Sequence, residues 1–213
     1  MKKAKVPRTL EIWSRKIHFY LGLYLLCFLW LFAISGLLLN HPQWLLKVYW
    51  DHRLESSSEH AIRPIAKTDP VDKARLLMTQ LELEGELEIP PVKGDPAMFS
   101  FRVTRPGESV SVNTDFGRGT ATVKRTQVNA IGIGSMLHTF TGVRANDQTQ
   151  RRDWVMTSLW SFSMDAVAIG IIILVLSSYY MWFRLGSKRL GGAASVGLGV
   201  LVCLFFVVVI SRL

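Results

Sequence analysis

Five histidines are the residues best suited by type and spacing to do chemistry: His18, His41, His52, His60 and His138. His18 and His41 flank the charge-free run from Phe19 to Leu39. On a helix rising 1.5 Å per residue their separation is about 35 Å, so they cannot ligate one metal or one haem within a subunit. His41 and His138 both lie in apolar, helix-like sequence. Two imidazoles in apolar surroundings, with small residues leaving room for a ring, suit a b-type haem. Ser35 and Gly36 before His41, and Gly132 and Gly134 before His138, supply the small residues. The same glycines serve equally well as packing points between helices, and a histidine at a helix end near headgroups is as often an interfacial polar residue. His52 and His60 fall in polar sequence. Asp165 is the only acid within an apolar run. It is expected to snorkel or to meet a hydroxyl such as Ser161 or Ser163 rather than to form a proton or ion site.

Other chemistries lack their residues. Gly132-Ile133-Gly134 has neither the preceding strand nor the later spacing of a dinucleotide fold. There is no P-loop, HExxH, GxSxG or CxxC. The two cysteines, Cys27 and Cys203, fall inside apolar runs, which excludes a thiol–disulfide relay. No segment is long enough for an NAD or flavin domain facing the cytoplasm. Electrons used by a redox centre here must come from another molecule, such as a quinol or a flavin-bearing reductase.

The elements that must position these residues begin with three apolar runs. Of the 213 residues 49% are hydrophobic and 19% charged, and the excess is concentrated in residues 19–39, 154–183 and 190–210. Crossing a hydrocarbon layer of roughly 30 Å takes about 20 helical residues, and all three runs qualify. The first is too long for a signal peptide and ends in Asn40-His41-Pro42-Gln43-Trp44 with no small-residue cleavage site, so it reads as a retained anchor. Lys2, Lys3, Lys5, Arg8, Arg15 and Lys16 precede it with one acid, Glu11; Arg184, Lys188 and Arg189 follow the second run with none. The 41–153 segment carries 15 basic and 14 acidic residues. The net charge of +9 is therefore a topology signal, not a nucleic-acid surface. The expected chain has a cytoplasmic N-terminus (1–18), a span (19–40), a periplasmic domain with juxtamembrane helices (41–153), a span (154–183), a cytoplasmic connector (184–190) and a last span (191–211). Its C-terminus lies in the periplasm. His41 and His138 then share the outer face.

Within the external segment, residues 41–60 are juxtamembrane, with Trp44, Tyr49 and Trp50 at the interface, and Glu55-Ser56-Ser57-Ser58-Glu59 reads as a linker. Asp69-Pro70 opens a helix whose apolar stripe is Val71, Ala74, Leu77, Met78 and Leu81. Alternating runs around Met98–Val103, Val110–Val112 and Thr120–Val123, separated by Pro106-Gly107 and by Asp115–Gly119, predict antiparallel strands. One helix on a small sheet, about 65 residues without disulfides, is a marginal core steadied by the membrane or a second copy. Residues 128–140 read as a short apolar helix carrying His138, and 141–152 as a polar loop. Ala193 and Gly197 make a small-x-x-x-small pair in the last span, a weak signal for helix contact.

Taken together, Arg15–Gly22, Ile34–Leu39, Leu137-His138 and Tyr180–Arg184 resemble the helix motifs of PepSY-associated transmembrane proteins, and Val110–Gly117 is similar to a PepSY strand pair. The resemblance implies an α-helical membrane protein: three transmembrane helices with a small α+β PepSY-like periplasmic domain. It implies a bacterial inner-membrane haem b protein reducing ferric iron or ferric siderophores on the periplasmic side, with His18, His41 and His138 as haem-ligand candidates. Larger members have four or more spans. With three, an inner haem at His18 needs a second copy, so a homodimer is expected. The competing expectation is a non-enzymatic membrane regulator or assembly factor whose PepSY-like domain binds a partner protein.

Overall fold

The apolar runs fold as helices of spanning length. A computed structural model describes residues 8–65, 69–90, 98–140, 150–151, 153–184 and 189–212. Lys2, Lys3, Lys5 and Lys188, and 141–149 with Arg152 of the expected polar loop, lie outside the described residues. Helix α1 runs over Arg8–Asn40, α5 over Val155–Arg184 and α6 over Arg189–Arg212. Each is long and apolar enough to cross a membrane, and the chain is a multi-pass membrane protein. α1 starts eleven residues before the first apolar residue of its run, because nothing in Arg8–His18 breaks a helix; Glu11 and Arg15 even pair across one turn at 2.8 Å. It stops at Asn40 because Pro42 disfavours helical backbone at His41, which adopts φ −122° and ψ 73°.

The described residues form two compact units, one of the chain up to Cys27 with that from Ala166 onward, the other Phe28–Asp165. In the first, α1 and α5 pack where side chains are small. Gly170 faces Leu21 and Leu25, and a Cβ there would stand 3.0 Å from Leu25 Cδ1. Leu25 is fully buried as a result. α6 begins where Gly192 passes the Trp182 indole so closely that any Cβ would collide with it. The rest of α6 is exposed along the chain, and Gly197 has no neighbour within 4 Å of where a Cβ would be.

The second unit holds a six-stranded antiparallel sheet in the order β1-β5-β4-β3-β2-β6. The strands are β1 (Leu54–Ala61), β2 (Glu86–Glu88), β3 (Met98–Arg105), β4 (Glu108–Asp115), β5 (Thr120–Gln127) and β6 (Gln150–Arg151). Helix α3 (Pro70–Gln80) covers one face. The predicted hairpins form in register. Arg105 opposes Glu108 across Pro106-Gly107, with Gly107 at φ +92°, and Asp115 opposes Thr120. Asp115 Oδ1 accepts from the backbone N–H of Gly117 and Arg118, closing the second turn. α3 is capped by Asp69, whose carboxylate accepts from Val71 N and Asp72 N. Its Ala74 and Leu77 are buried against Phe99, Phe101, Val103, Val110, Val112, Ala121 and Val123.

The linker expected at Glu55–Glu59 is instead the middle of β1, paired residue for residue with β5 from Leu54↔Gln127 to Ala61↔Thr120. All eight of its residues are exposed, so no apolar alternation marks it; backbone pairing along one edge of β5 holds it. The end of the expected 141–152 loop also changes: Gln150 and Arg151 pair with Glu88 and Leu87 of β2, itself a three-residue strand that no sequence pattern announces.

Candidate functional site

His138 lies near the end of a short helix, α4 (Ala130–Thr139), that three local devices hold in place. Asn129 caps it, accepting from Gly132 N at 3.0 Å, and donates its Nδ2–H to Val48 O at 2.8 Å. That second bond ties α4 to the π-helical turn Leu46–Trp50, which follows the short α2 (Pro42–Leu45). Gly132 packs against Tyr49 and Val128, where a Cβ would come within 2.7 Å, and Gly134 packs against Leu31 of α1. Both glycines thus serve as packing points.

This seating lays the His138 imidazole against α1. Its Nδ1 is 2.7 Å from Ser35 Oγ, its Cε1 would be 3.5 Å from a Cβ at Gly36, and Phe32 meets it edge-on with centroids 5.1 Å apart. Ser35 is buried, and its hydroxyl is 2.6 Å from Leu31 O and 3.4 Å from Phe32 O. His138 Nε2 has no hydrogen-bond partner among the described residues.

His41 sits between α1 and α2. Its backbone N–H donates to Leu38 O and its carbonyl accepts from Trp44 N, so the residue joins the two helices. The exposed ring stacks on Trp44, centroids 4.2 Å apart and planes 21° apart. The contacts of His41 and His138 do not include each other.

His18 belongs to the other unit, where its Nδ1 lies 2.9 Å from Ser177 Oγ of α5. Ser177 in turn donates to Leu174 O at 2.9 Å. Beside this pair Trp13, Ile17, Leu176, Ser177 and Tyr180 line an apolar cavity of about 340 Å³. Glu11 bridges Arg15 and Arg184 at the same end of α1 and α5. His52 is exposed in a turn, and His60 on β1 meets Ser58 Oγ through Nε2 at 2.9 Å. Asp165 is exposed and has no hydrogen-bond partner among the described residues; Ser163, one of the hydroxyls expected to meet it, donates to Leu159 O instead.

The sheet domain has a feature of its own that sequence patterns do not mark. A cavity of about 900 Å³ is lined by Arg75, Leu87, Arg105, Glu108, Arg125 and Trp154, among others. Glu108 is buried there, paired with Arg105, with Arg125 at 3.4 Å and with Gln127 Nε2 at 3.2 Å. Burial pushes its carboxyl up, but Gln127, Arg105 and Arg125 together outweigh burial and hold it below the usual carboxylate range. Arg75 pairs with Asp153 on the same wall. Neither cavity has a histidine in its lining.

Among the described residues no three His, Cys, Asp or Glu side chains group closely enough to hold a bare metal ion. A haem asks less of the chain, namely axial imidazole nitrogens in an apolar wall. The donor chemistry of His138 and His18 fits, since each ring is anchored through Nδ1 and its Nε2 has no partner among the described residues. His41 fits as a donor once its ring leaves Trp44.

No curated protein and no solved structure matches the chain. Its sequence does match the family described as PepSY_TM-like across residues 12–211, from the first turns of α1 to the end of α6. With three helices long enough to span and an antiparallel sheet domain, the chain belongs to the PepSY_TM-like family.

Proposed function

We propose that the chain is a haem b-containing electron-transfer protein of the bacterial inner membrane that reduces ferric iron or ferric chelates on the periplasmic side. The observation that carries this reading is the His138–Ser35 contact: an imidazole brought by a separate helix onto an apolar span, anchored through one nitrogen, the other without a partner among the described residues. When bound, haem b would supply one-electron chemistry through its iron. His138 would hold that iron, with His41 as the second ligand candidate. The apolar residues of α1 and α4 would keep water away. His18 is the candidate for an inner centre, shared with a second copy of the chain because no other histidine precedes residue 41. Each electron delivered converts one Fe(III) to Fe(II). A quinol donor, releasing two electrons and two protons, would serve two ferric ions.

The test is a spectrum. Protein purified from haem-replete cells is expected to show a Soret band and sharp α and β bands on reduction, the mark of low-spin bis-imidazole iron. His138→Ala removes or alters the outer centre, and a homodimer with one shared inner haem gives three haems per two chains. A colourless protein sinks the redox reading. It would favour the second reading, a non-enzymatic regulator or assembly factor, which the charged cavity of about 900 Å³ on the sheet domain supports as a seat for a partner's polypeptide.

A further inference from the structure

Two serines in the apolar helices do the same thing to two histidines. A serine hydroxyl has one proton and can accept through its lone pairs. Ser35 Oγ stands 2.6 Å from Leu31 O, with Phe32 O the next acceptor at 3.4 Å. Two oxygens at 2.6 Å repel unless a proton lies between them, so the Ser35 proton is committed to its own helix. Ser35 can then only accept from His138, at 2.7 Å. The proton in that contact belongs to His138 Nδ1. Ser177 repeats the arrangement, with its proton directed to Leu174 O at 2.9 Å and His18 Nδ1 at 2.9 Å on its oxygen. His60 is the contrast. It meets Ser58 through Nε2, on an exposed edge strand, and among the described residues no backbone acceptor for the Ser58 hydroxyl accompanies it.

We propose that Ser35 and Ser177 are positioning residues that fix His138 and His18 as Nδ1–H tautomers, which leaves Nε2 as the ligating atom of each ring. A free imidazole prefers the opposite tautomer, with its proton on Nε2 and no lone pair there. A metal-bound histidine characteristically donates its other N–H to an outer acceptor, which orients the ring and raises its basicity. Serine is a suitable acceptor within a span because its proton is satisfied by its own helix, so no donor is left unpaired in hydrocarbon. The shared device also separates His18 from a merely interfacial histidine, whose ring has no need of a fixed tautomer. The ligand role rests on the haem reading above; the tautomer assignment does not.

The experiment therefore uses two readouts on the full-length chain in micelles. In haem-free protein, ¹⁵N NMR of the histidine rings is expected to show His138 and His18 as Nδ1–H. Ser35→Ala should convert only His138, and Ser177→Ala only His18, towards the Nε2–H form. Ser35→Thr should restore the wild-type pattern. In haem-loaded protein Ser35→Ala should weaken haem binding by roughly 10–100-fold, the usual cost of losing an outer partner. It should also move the midpoint potential upward, since a less basic ligand favours ferrous iron. An Nε2–H tautomer in the wild-type protein overturns the proposal, as does a Ser35→Ala protein with unchanged tautomer and unchanged potential. A colourless protein whose His138 still changes tautomer in Ser35→Ala supports the assignment and removes the haem reading instead.

Discussion

Glu108 is buried among cations, and its ionisation is tied to the fold. Its carboxyl titrates below the ordinary range in the folded domain because Gln127, Arg105 and Arg125 outweigh the effect of burial. A depressed carboxylate contributes stability above its unfolded pKa, and that stability is lost as pH falls through the folded value. The unfolding midpoint of the wild-type chain should therefore fall on acidification below the usual carboxylate range. Glu108→Gln should be less stable at neutral pH by about 1–3 kcal/mol, the cost of leaving buried partners unsatisfied, and the two proteins should converge in acid. Equal midpoints at neutral pH would show that the two arginines find other partners. At this scale the histidines were legible, since imidazoles bordering apolar runs stand out by type. Ser35 was legible only as a small residue near His41. Its bond to His138 joins positions 103 residues apart and depends on the seating of α4, which the local pattern around Ser35 does not encode. Glu108 was invisible for a similar reason, because its cations come from the residue facing it across the hairpin and from β5.

The elements divide by whether one face is buried. α3, β3, β4 and β5 each place apolar residues on one side of a regular period, and each was anticipated from that period. β1 has no buried residue, so its eight positions look like solvent-exposed coil although all are paired to β5. β2 and β6 are too short to carry a period. The energetics follow the same division. Phe101 is among the largest fully buried side chains of the sheet domain and packs beside Phe99, centroids 5.9 Å apart. Phe101→Ala should cost about 3–5 kcal/mol, most of what a domain this small has to lose. Ser57→Ala, on the exposed edge, should stay within about 0.5 kcal/mol. Denaturant unfolding followed by tryptophan fluorescence distinguishes them, and a small effect at Phe101 would mean that the membrane-embedded helices, not the apolar core, hold the sheet together.

For the whole molecule, the number of spans decides where each chemistry faces. Three helices can cross a bilayer, and an odd number leaves the chain ends on opposite sides. Basic residues give the expected direction: six of them against one acid precede the apolar run of α1, while Arg184, Lys188 and Arg189 separate α5 from α6 without an acid. The 41–153 segment is nearly neutral, with 15 basic and 14 acidic residues, as suits a translocated domain. The orientation expected from these charges has the sheet domain, His41 and His138 in the periplasm and His18 towards the cytoplasm. The weak point is α6, which is exposed along almost its whole length and draws little on the rest of the chain to hold it across the bilayer. Its apolar run, 190–210, supplies that hold. Alkaline phosphatase fused after Arg212 should be active, and a fluorescent reporter that matures only in the cytoplasm should be dark there. The same pair fused within the 184–190 connector should give the reverse. Cytoplasmic activity after Arg212, with the connector also cytoplasmic, would show that α6 lies along the inner face instead of spanning, and would leave the outer site intact while removing the last helix from any contact between copies inside the bilayer.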